Sequence, residues 1–110
     1  MAAIDIDEIT QTMTEAMKVA LSAQWKAAKP FVGQEAKSFA QNIRLIEKLQ
    51  AKGEIDEVKA QLHMNIQRNA FRIVLLTIEG LGILAVEAAI NAAIDAVKGS
   101  VNTTLGWNIL

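Results

Sequence analysis

Apolar residues recur every three or four positions through the first half of the chain. This spacing places them on one face of a helix. Asp5 can cap the start of that helix, with Glu8 three residues later in capping-box spacing. The pattern predicts a first helix over about 6–51. Its apolar positions are Ile9, Met13, Met17, Leu21, Trp25, Ala28, Val32, Ala36, Phe39, Ile43, Ile46 and Leu49.

Pro30 interrupts this helix without interrupting the apolar pattern. A proline inside a helix removes one hydrogen bond and clashes with the preceding turn. Because the apolar positions keep their phase on both sides, we expect the first helix to be kinked or broken near Pro30. Both segments should then face the same core.

Gly53 is the clearest boundary in the chain. It suits the left-handed position after a helix, and the acids Glu54, Asp56 and Glu57 suit the first turn of the next one. We therefore predict a turn at about 52–54 and a second helix over about 55–98. The apolar face of the first half of that helix comprises Ile55, Val58, Leu62, Ile66, Ala70 and Ile73.

The end of the second helix is predicted at Gly99-Ser100. Leu105, Trp107 and Ile109 then alternate with other residues, which predicts an extended C-terminal arm over 99–110. The whole chain, 1–110, should be a single helical domain, because its length suits one modest core.

The fold class predicted from these elements is all-α. No run of alternating β-branched residues supports a sheet. Two helices joined by a short turn form a long antiparallel hairpin, each arm about 65 Å long at about 1.5 Å per residue. The second helix is apolar on nearly all sides in its second half, so a hairpin alone leaves apolar surface open. We expect the hairpin to complete a helical bundle by oligomerisation, as a homodimer or a higher oligomer.

The most apolar stretch, 71–97, is long enough to span a bilayer but contains Glu79 and Glu87. Each charge near the bilayer centre costs about 2.5–3.5 kcal/mol. We therefore favour a bundle without membrane contact and keep a membrane-associated helical hairpin as an alternative. The acidic N-terminus lacks the apolar segment of a secretory signal, which favours a cytoplasmic location.

Charges on the two predicted helices match if the hairpin folds about Gly53. Residue i then lies level with residue 106 − i, which predicts interhelical charge pairs that set the register. The pairs are Glu79 with Lys26 and Lys29, Glu87 with Lys18, Arg72 with Glu35, and Lys98 with Glu8.

Small residues cluster at helical spacing in the second helix. Such a face lets two helix backbones approach closely, so we predict that it packs against a second copy. Trp107, on the arm, should bury its indole against its own or a neighbouring subunit. The predicted interface therefore comprises Ala85, Ala88, Ala89, Ala92, Ala93, Ala96 and Trp107.

Little in the sequence points to chemistry. There is no Cys, and the net charge of -1 does not favour nucleic acid. His63 is the one histidine, and the residue three before it is Ala60 rather than the Glu of di-iron bundles. Glu79, Glu87 and His63 are weak metal candidates. We predict no catalytic residues and no cofactor.

The sequence thus predicts a non-enzymatic structural or interaction protein that self-assembles. Its expected partner is itself, with another protein as a possible partner, and neither nucleic acid nor a membrane. Two alternatives stay open: a ligand- or metal-binding bundle using Glu79, Glu87 and His63, and the membrane-associated hairpin. The biological process, the subunit number and any ligand are not specified by the sequence.

Overall fold

The computed structural model describes residues 3–110, which form four α-helices and one short 3₁₀ turn. No strand occurs in this range, so the predicted all-α class is confirmed. The helices are α1 (Ile6–Leu21), α2 (Trp25–Ala51), α3 (Glu57–Leu76) and α4 (Ile83–Leu105), and the 3₁₀ turn Ser22–Gln24 joins α1 to α2.

The four helices pack as neighbours around a shared core. α1 packs against α2 and α4, and α3 packs against α2 and α4. The longest dimension of the molecule is 43 Å. A hairpin with two arms of about 65 Å is therefore wrong, because each predicted arm is divided into two helices.

The first arm breaks at Ser22 rather than near Pro30. Ser22 has φ 49° and ψ −111°, and its N–H donates to the Lys18 carbonyl, which closes the end of α1. A positive φ is unfavourable for a residue with a Cβ and is usually adopted by glycine. Because position 22 is a serine, the sequence gives no signal of a break there. The break lets α1 fold back onto α2 instead of extending it.

Pro30 lies inside α2, in its second turn. The bond that it cannot donate would go to the Lys26 carbonyl, one full turn earlier. Pro30 and Lys26 both lie on the exposed side of the helix, where water can take the place of the missing donor. Water therefore offsets the missing hydrogen bond, and the helix continues through the proline.

The predicted boundary at Gly53 is confirmed. Gly53 has φ 68°, and the Glu54 N–H donates to the Leu49 carbonyl at 2.9 Å. The predicted cap at Asp5 is present, and Asp56, predicted within the first turn of the second helix, is the cap of α3. Asp5 accepts from the Glu8 N–H at 3.1 Å, and Asp56 accepts from the Lys59 N–H at 2.8 Å.

The second arm breaks at 77–82 and extends farther than predicted. Gly80 has φ 89° and Gly82 caps α4, so these two glycines make the turn between α3 and α4. Gly99 and Ser100 do not end α4, because Val101 and Leu105 continue its buried face. The predicted extended arm over 99–110 is therefore wrong for 99–105, and the helix ends at Gly106, which has φ 71°.

The core confirms the apolar pattern of the first arm. Ten of its twelve predicted positions are buried, and Trp25 and Leu49 are half-buried. Burial of these side chains from water is the main term that stabilises the fold. The largest fully buried side chains are Phe39, Met13, Met17, Leu21, Ile43, Ile46, Met64, Leu75 and Ile90, with Val32, Val86 and Val101.

Candidate interaction surface

The outer face of α3 exposes a line of large aliphatic side chains. Five of them are each 41 to 63 % exposed. They follow one another at steps of four, four, seven and three residues, which keeps them on one side of the helix. We call this surface the α3 stripe, and it comprises Val58, Leu62, Ile66, Ile73 and Leu76.

The α3 stripe includes most of the face that the sequence predicts as apolar for the second arm. The structure turns that face to solvent and buries the opposite one, which carries Ala60, Met64, Phe71 and Leu75. At about 100° per residue the two faces lie about 180° apart. Most of the apolar face predicted over 55–73 is therefore exposed rather than part of the core. The helix is apolar on two sides, and its own chain covers one of them.

Phe71 anchors the buried side of α3. Its ring lies 6.4 Å from that of Phe39 on α2, at an interplanar angle of 59°. This tilted arrangement is a favourable one for two aromatic rings. Phe71 therefore fixes which side of α3 faces inward, and hence which side stays exposed.

A polar network joins α3 to α2 beside the aromatic pair. His63 Nε2 lies 2.8 Å from Asn42 Oδ1, and the Asn42 amide donates to Gln67 Oε1 at 3.1 Å. The same amide donates to the Ser38 carbonyl at 2.8 Å. These bonds can form in only one alignment of the two helices, so they fix the register of α3 on α2.

An ion pair joins α3 to α4. Arg72 bonds Glu87 through two nitrogens, with Nη2 3.2 Å from Oε2. The bond from Arg72 lowers the pKa of Glu87, and the bond to Glu87 raises the pKa of Arg72. Both side chains are partly exposed, so the pair orients α3 more than it stabilises the fold. Arg68 adds a bond to Asn91 on α4 at 2.6 Å.

The predicted interhelical charge pairs are not formed. Among residues 3–110, ion pairs within 4.0 Å occur at Arg72–Glu87 and Arg44–Glu47. Their prediction assumed a hairpin folded about Gly53, and the breaks at Ser22–Gln24 and 77–82 remove that geometry. The prediction is wrong for Glu79 with Lys26 and Lys29, for Glu87 with Lys18, for Arg72 with Glu35, and for Lys98 with Glu8.

The alanine face of α4 is divided between core and surface. Ala89 and Ala93 are fully buried inside the chain's own core, so their assignment to an interface between copies is wrong. The α4 helix uses these small residues to pack within the molecule. Ala85 and Ala92 are half-buried, Ala88 and Ala96 are exposed, and their role in assembly stays a prediction.

The C-terminal residues pack on their own chain. Trp107 is half-buried against the core, and Ile109 is buried. The Asn108 N–H donates to Glu57 Oε2 at 2.9 Å, and Gln61 donates to the Asn108 carbonyl at 2.8 Å. These bonds tie the chain end to the start of α3, so Trp107 belongs to the fold of the single chain.

The three weak metal candidates are placed in different surroundings. Glu79 is exposed in the turn after α3, Glu87 is bonded to Arg72, and His63 is bonded to Asn42. No group of three His, Cys, Asp or Glu residues that could hold a metal ion occurs in the part of the chain that the structure describes. The geometry therefore does not support the metal-binding alternative.

The apolar stretch 71–97 is divided by the turn at 77–82. No helix within residues 3–110 combines the length and the apolar character needed to cross a bilayer.

No protein-family model, curated protein or solved structure matches the chain.

Proposed function

We propose that this protein is a non-enzymatic helical interaction protein that self-assembles, and that the α3 stripe is its contact surface. The observation that carries the proposal is the exposure of five large aliphatic side chains in one line on a helix whose other side is already buried. Contiguous apolar patches of this kind mark interaction sites on proteins.

The size of the α3 stripe supports an association of moderate strength. Fully burying a Val, Leu or Ile side chain contributes about 1.5–3 kcal/mol. The five side chains are each about half exposed, so covering them in both copies contributes about 8–15 kcal/mol. Association costs about 4–15 kcal/mol in lost translational and rotational freedom. The two terms are comparable, so we expect assembly that depends on protein concentration.

The firm attachment of α3 also supports the proposal. Phe71, the His63–Asn42 bond and the Arg72–Glu87 pair hold one side of the helix against α2 and α4. The opposite side is therefore exposed in a fixed orientation, so α3 loses little conformational entropy when a partner binds. A preorganised helix face is a common binding surface for another helix.

Sedimentation equilibrium of the full chain, with an Ile66→Lys variant, tests the proposal. The wild type should change from monomer toward a multiple of the monomer mass as the concentration rises. Ile66→Lys should stay monomeric over the same range, because a lysine charge in the middle of the contact would be removed from water. Val19→Lys is the matched control, since Val19 is 80 % exposed on α1, outside the α3 stripe.

Circular dichroism of the three proteins separates assembly from folding. Ile66 and Val19 are both exposed in the single chain, so neither lysine should reduce the helix content. A wild type that stays monomeric at all concentrations would overturn the proposal. So would an Ile66→Lys variant that assembles as well as the wild type.

A further inference from the structure

We propose that this chain exchanges α1 with a second copy when the turn Ser22–Gln24 straightens and joins α1 to α2 in one helix. We call this turn the hinge. In the exchanged dimer, α1 of each copy takes the place on the other copy that its own α1 occupies in the monomer. The contacts of α1 are kept, because the same surfaces meet. The exchange does not use the α3 stripe, so it goes beyond the proposed function and does not depend on it.

The hinge departs from α-helical geometry mainly at Ser22. Leu21, Gln24 and Trp25 have right-handed helical backbone angles, with φ of −80°, −85° and −56°. Ser22 has φ 49° and ψ −111°. Its N–H donates to the Lys18 carbonyl, and its own carbonyl accepts from the Trp25 N–H. Because helical hydrogen bonds already reach Ser22 from both sides, rotation of its backbone is the main change that joins the two helices.

The closed hinge is strained, and straightening removes the strain. The backbone angles of Ser22 suit glycine and are unfavourable for a residue with a Cβ. Ala23 and Gln24, the other residues of the hinge, are good helix formers, so the joined helix is favourable at both positions. Short hinges under strain favour the exchange of an element between copies of a chain.

The apolar spacing through the hinge is already that of one helix. Met17, Leu21, Trp25 and Ala28 follow one another at steps of four, four and three residues. In the joined helix they lie on one face, which continues from α1 into α2. Two such helices, antiparallel about a two-fold axis at the hinge, place α1 of each copy along α2 of the other. The monomer already contains this pairing of α1 with α2.

The ends of the two bundles that meet in the exchanged dimer carry exposed apolar side chains. The start of α1 lies beside the end of α4, because Ile4 and Thr104 line the same cavity. The hinge, at the other end of α1, therefore lies at the end of the bundle where α4 starts. Ile83 and Leu84 in the first turn of α4 are 61 % and 84 % exposed. Exchange brings this end of one bundle toward the same end of the other, which favours the dimer.

Lysines beside the hinge oppose the exchange. Lys18 and Lys26 each lie four residues from Ser22, and both are exposed. The dimer brings two such sets together, and no acidic residue occurs within 18–31 to offset them. Salt screens the repulsion between exposed charges. We therefore expect the yield of exchanged dimer to rise with ionic strength.

The exchange is expected to be slow, because α1 has to leave the core before it can change copies. Met13, Met17 and Leu21 are fully buried. Refolding from urea at high protein concentration should therefore yield the dimer, since α1 meets a second copy before the core closes. The dimer should then persist after dilution, whereas a contact through the α3 stripe should dissociate.

Crosslinking between two singly substituted chains tests the exchange, because the chain has no cysteine of its own. Thr12 on α1 and Ala96 on α4 line one cavity of about 250 Å³. Thr12→Cys and Ala96→Cys chains are refolded together at high concentration and treated with a short bismaleimide. The 12–96 product requires α1 of one copy to lie on α4 of the other. It should exceed several-fold the product of the same chains refolded separately and then mixed.

Two controls accompany this experiment. A chain with both cysteines, refolded at low concentration, should crosslink within itself, which shows that the reagent spans the cavity. Ile66→Lys, added to both single-cysteine chains, should leave the 12–96 product unchanged, because the exchange does not use the α3 stripe.

Substitutions of Ser22 give a second measurement. Ser22→Gly relieves the closed hinge and weakens the joined helix, so it should lower the yield of dimer several-fold. Ser22→Ala keeps a Cβ and favours the helix, so it should raise the yield. Ala27→Gly is the matched control, because Ala27 is exposed within α2 and is helical in both forms. Size-exclusion chromatography after dilution measures the yields.

The outcomes separate the exchange from the proposed function. A 12–96 product no larger than that of the separately refolded chains would overturn the exchange, and so would its loss on Ile66→Lys. Equal dimer yields for Ser22→Gly and Ser22→Ala would overturn it as well. A native wild type that is monomeric in sedimentation, together with a 12–96 product after joint refolding, would overturn the α3 stripe as the contact surface and support the exchange.

Discussion

The core that α1 shares with its neighbours and the attachment of α3 are built in different ways. α1 buries only apolar side chains, and their spacing is continuous into α2 across the break at Ser22. α3 buries four positions over 20 residues, against four over 16 residues in α1, and it also forms polar bonds to α2 and α4. The apolar core therefore sets stability, whereas the polar bonds of α3 act together with the Phe71–Phe39 contact to orient the helix.

The largest effect that tests this contrast comes from truncating two isoleucines in the two regions. Ile43 on α2 is fully buried, and Ile66 on α3 is 63 % exposed. Ile43→Ala should lower the free energy of unfolding by about 2–5 kcal/mol, because it leaves a cavity. Ile66→Ala should change that of the monomer by less than about 0.5 kcal/mol. Urea unfolding at low protein concentration measures both.

The same pair also separates folding from assembly. At high protein concentration the midpoint of wild-type unfolding should rise, because binding of a second copy stabilises the folded state. Ile66→Ala should reduce this rise, and Ile43→Ala should not. Equal losses for the two variants at low concentration would show that the contrast between core and α3 stripe does not hold.

A smaller effect is expected from the polar network between α2 and α3. Asn42→Ala removes the partner of His63 and Gln67 and should cost about 1 kcal/mol. The loss should be local, because the apolar core is unchanged. Amide hydrogen exchange should become faster in α3 and stay nearly unchanged in α1.

The neighbouring residue provides the control for this experiment. Gln41 is exposed on the same helix, so Gln41→Ala should leave the exchange of α3 unaltered. Equal acceleration in all helices after Asn42→Ala would mean that α3 opens only when the whole fold opens.

The smallest effect concerns the ion pair between α3 and α4. The bond from Arg72 lowers the pKa of Glu87, so the folded state favours the charged carboxylate. The stabilisation is complete above the pKa of an ordinary glutamate, about 4.3. It is lost as the pH falls through the lower folded value. Glu87→Gln should slightly lower stability at neutral pH and remove this part of the acid dependence.

Thermal unfolding as a function of pH measures the difference. Glu79→Gln is the matched control, because Glu79 is exposed and forms no ion pair within 4.0 Å among residues 3–110. If both variants keep the acid dependence of the wild type, the Arg72–Glu87 pair does not contribute to it.

Local signals in the sequence predicted the helix class and several helix ends. Asp5, Gly53 and Asp56 act through neighbours within a few residues, so their positions are readable from sequence alone. The apolar pattern of the first arm also predicted the core of α1 and α2. Both signals, the helix ends and the apolar spacing, come from residues close together in the sequence. Neither depends on which helices pack against each other.

The breaks could not be predicted in the same way. Ser22 adopts a positive φ although it is not a glycine. Pro30, the nearest residue of a type that commonly breaks helices, is tolerated in an exposed turn of α2. Gly80 and Gly82 make a turn, whereas Gly99 stays inside α4. The difference lies in tertiary packing, because the residues after Gly99 continue a buried face.

The candidate surface was misjudged because α3 has two apolar sides. Sequence spacing shows that both sides are apolar, but it does not show which one the rest of the chain covers. The sequence predicts the side with Leu62 and Ile66 as the apolar face, because that side carries large aliphatic residues. The structure buries the side with Phe71, whose ring finds Phe39 on α2. An aromatic pair between helices leaves no periodic signal in one sequence.

The contact between α1 and α4 joins the first helix of the chain to the last. During synthesis, α1, α2 and α3 leave the ribosome before α4 does. Until then the side of α1 that α4 will cover stays open to water, and the buried side of α3 lacks its contacts with α4. The apolar side of α1 therefore stays uncovered until α4 has emerged, and the contact between α1 and α4 can form only then.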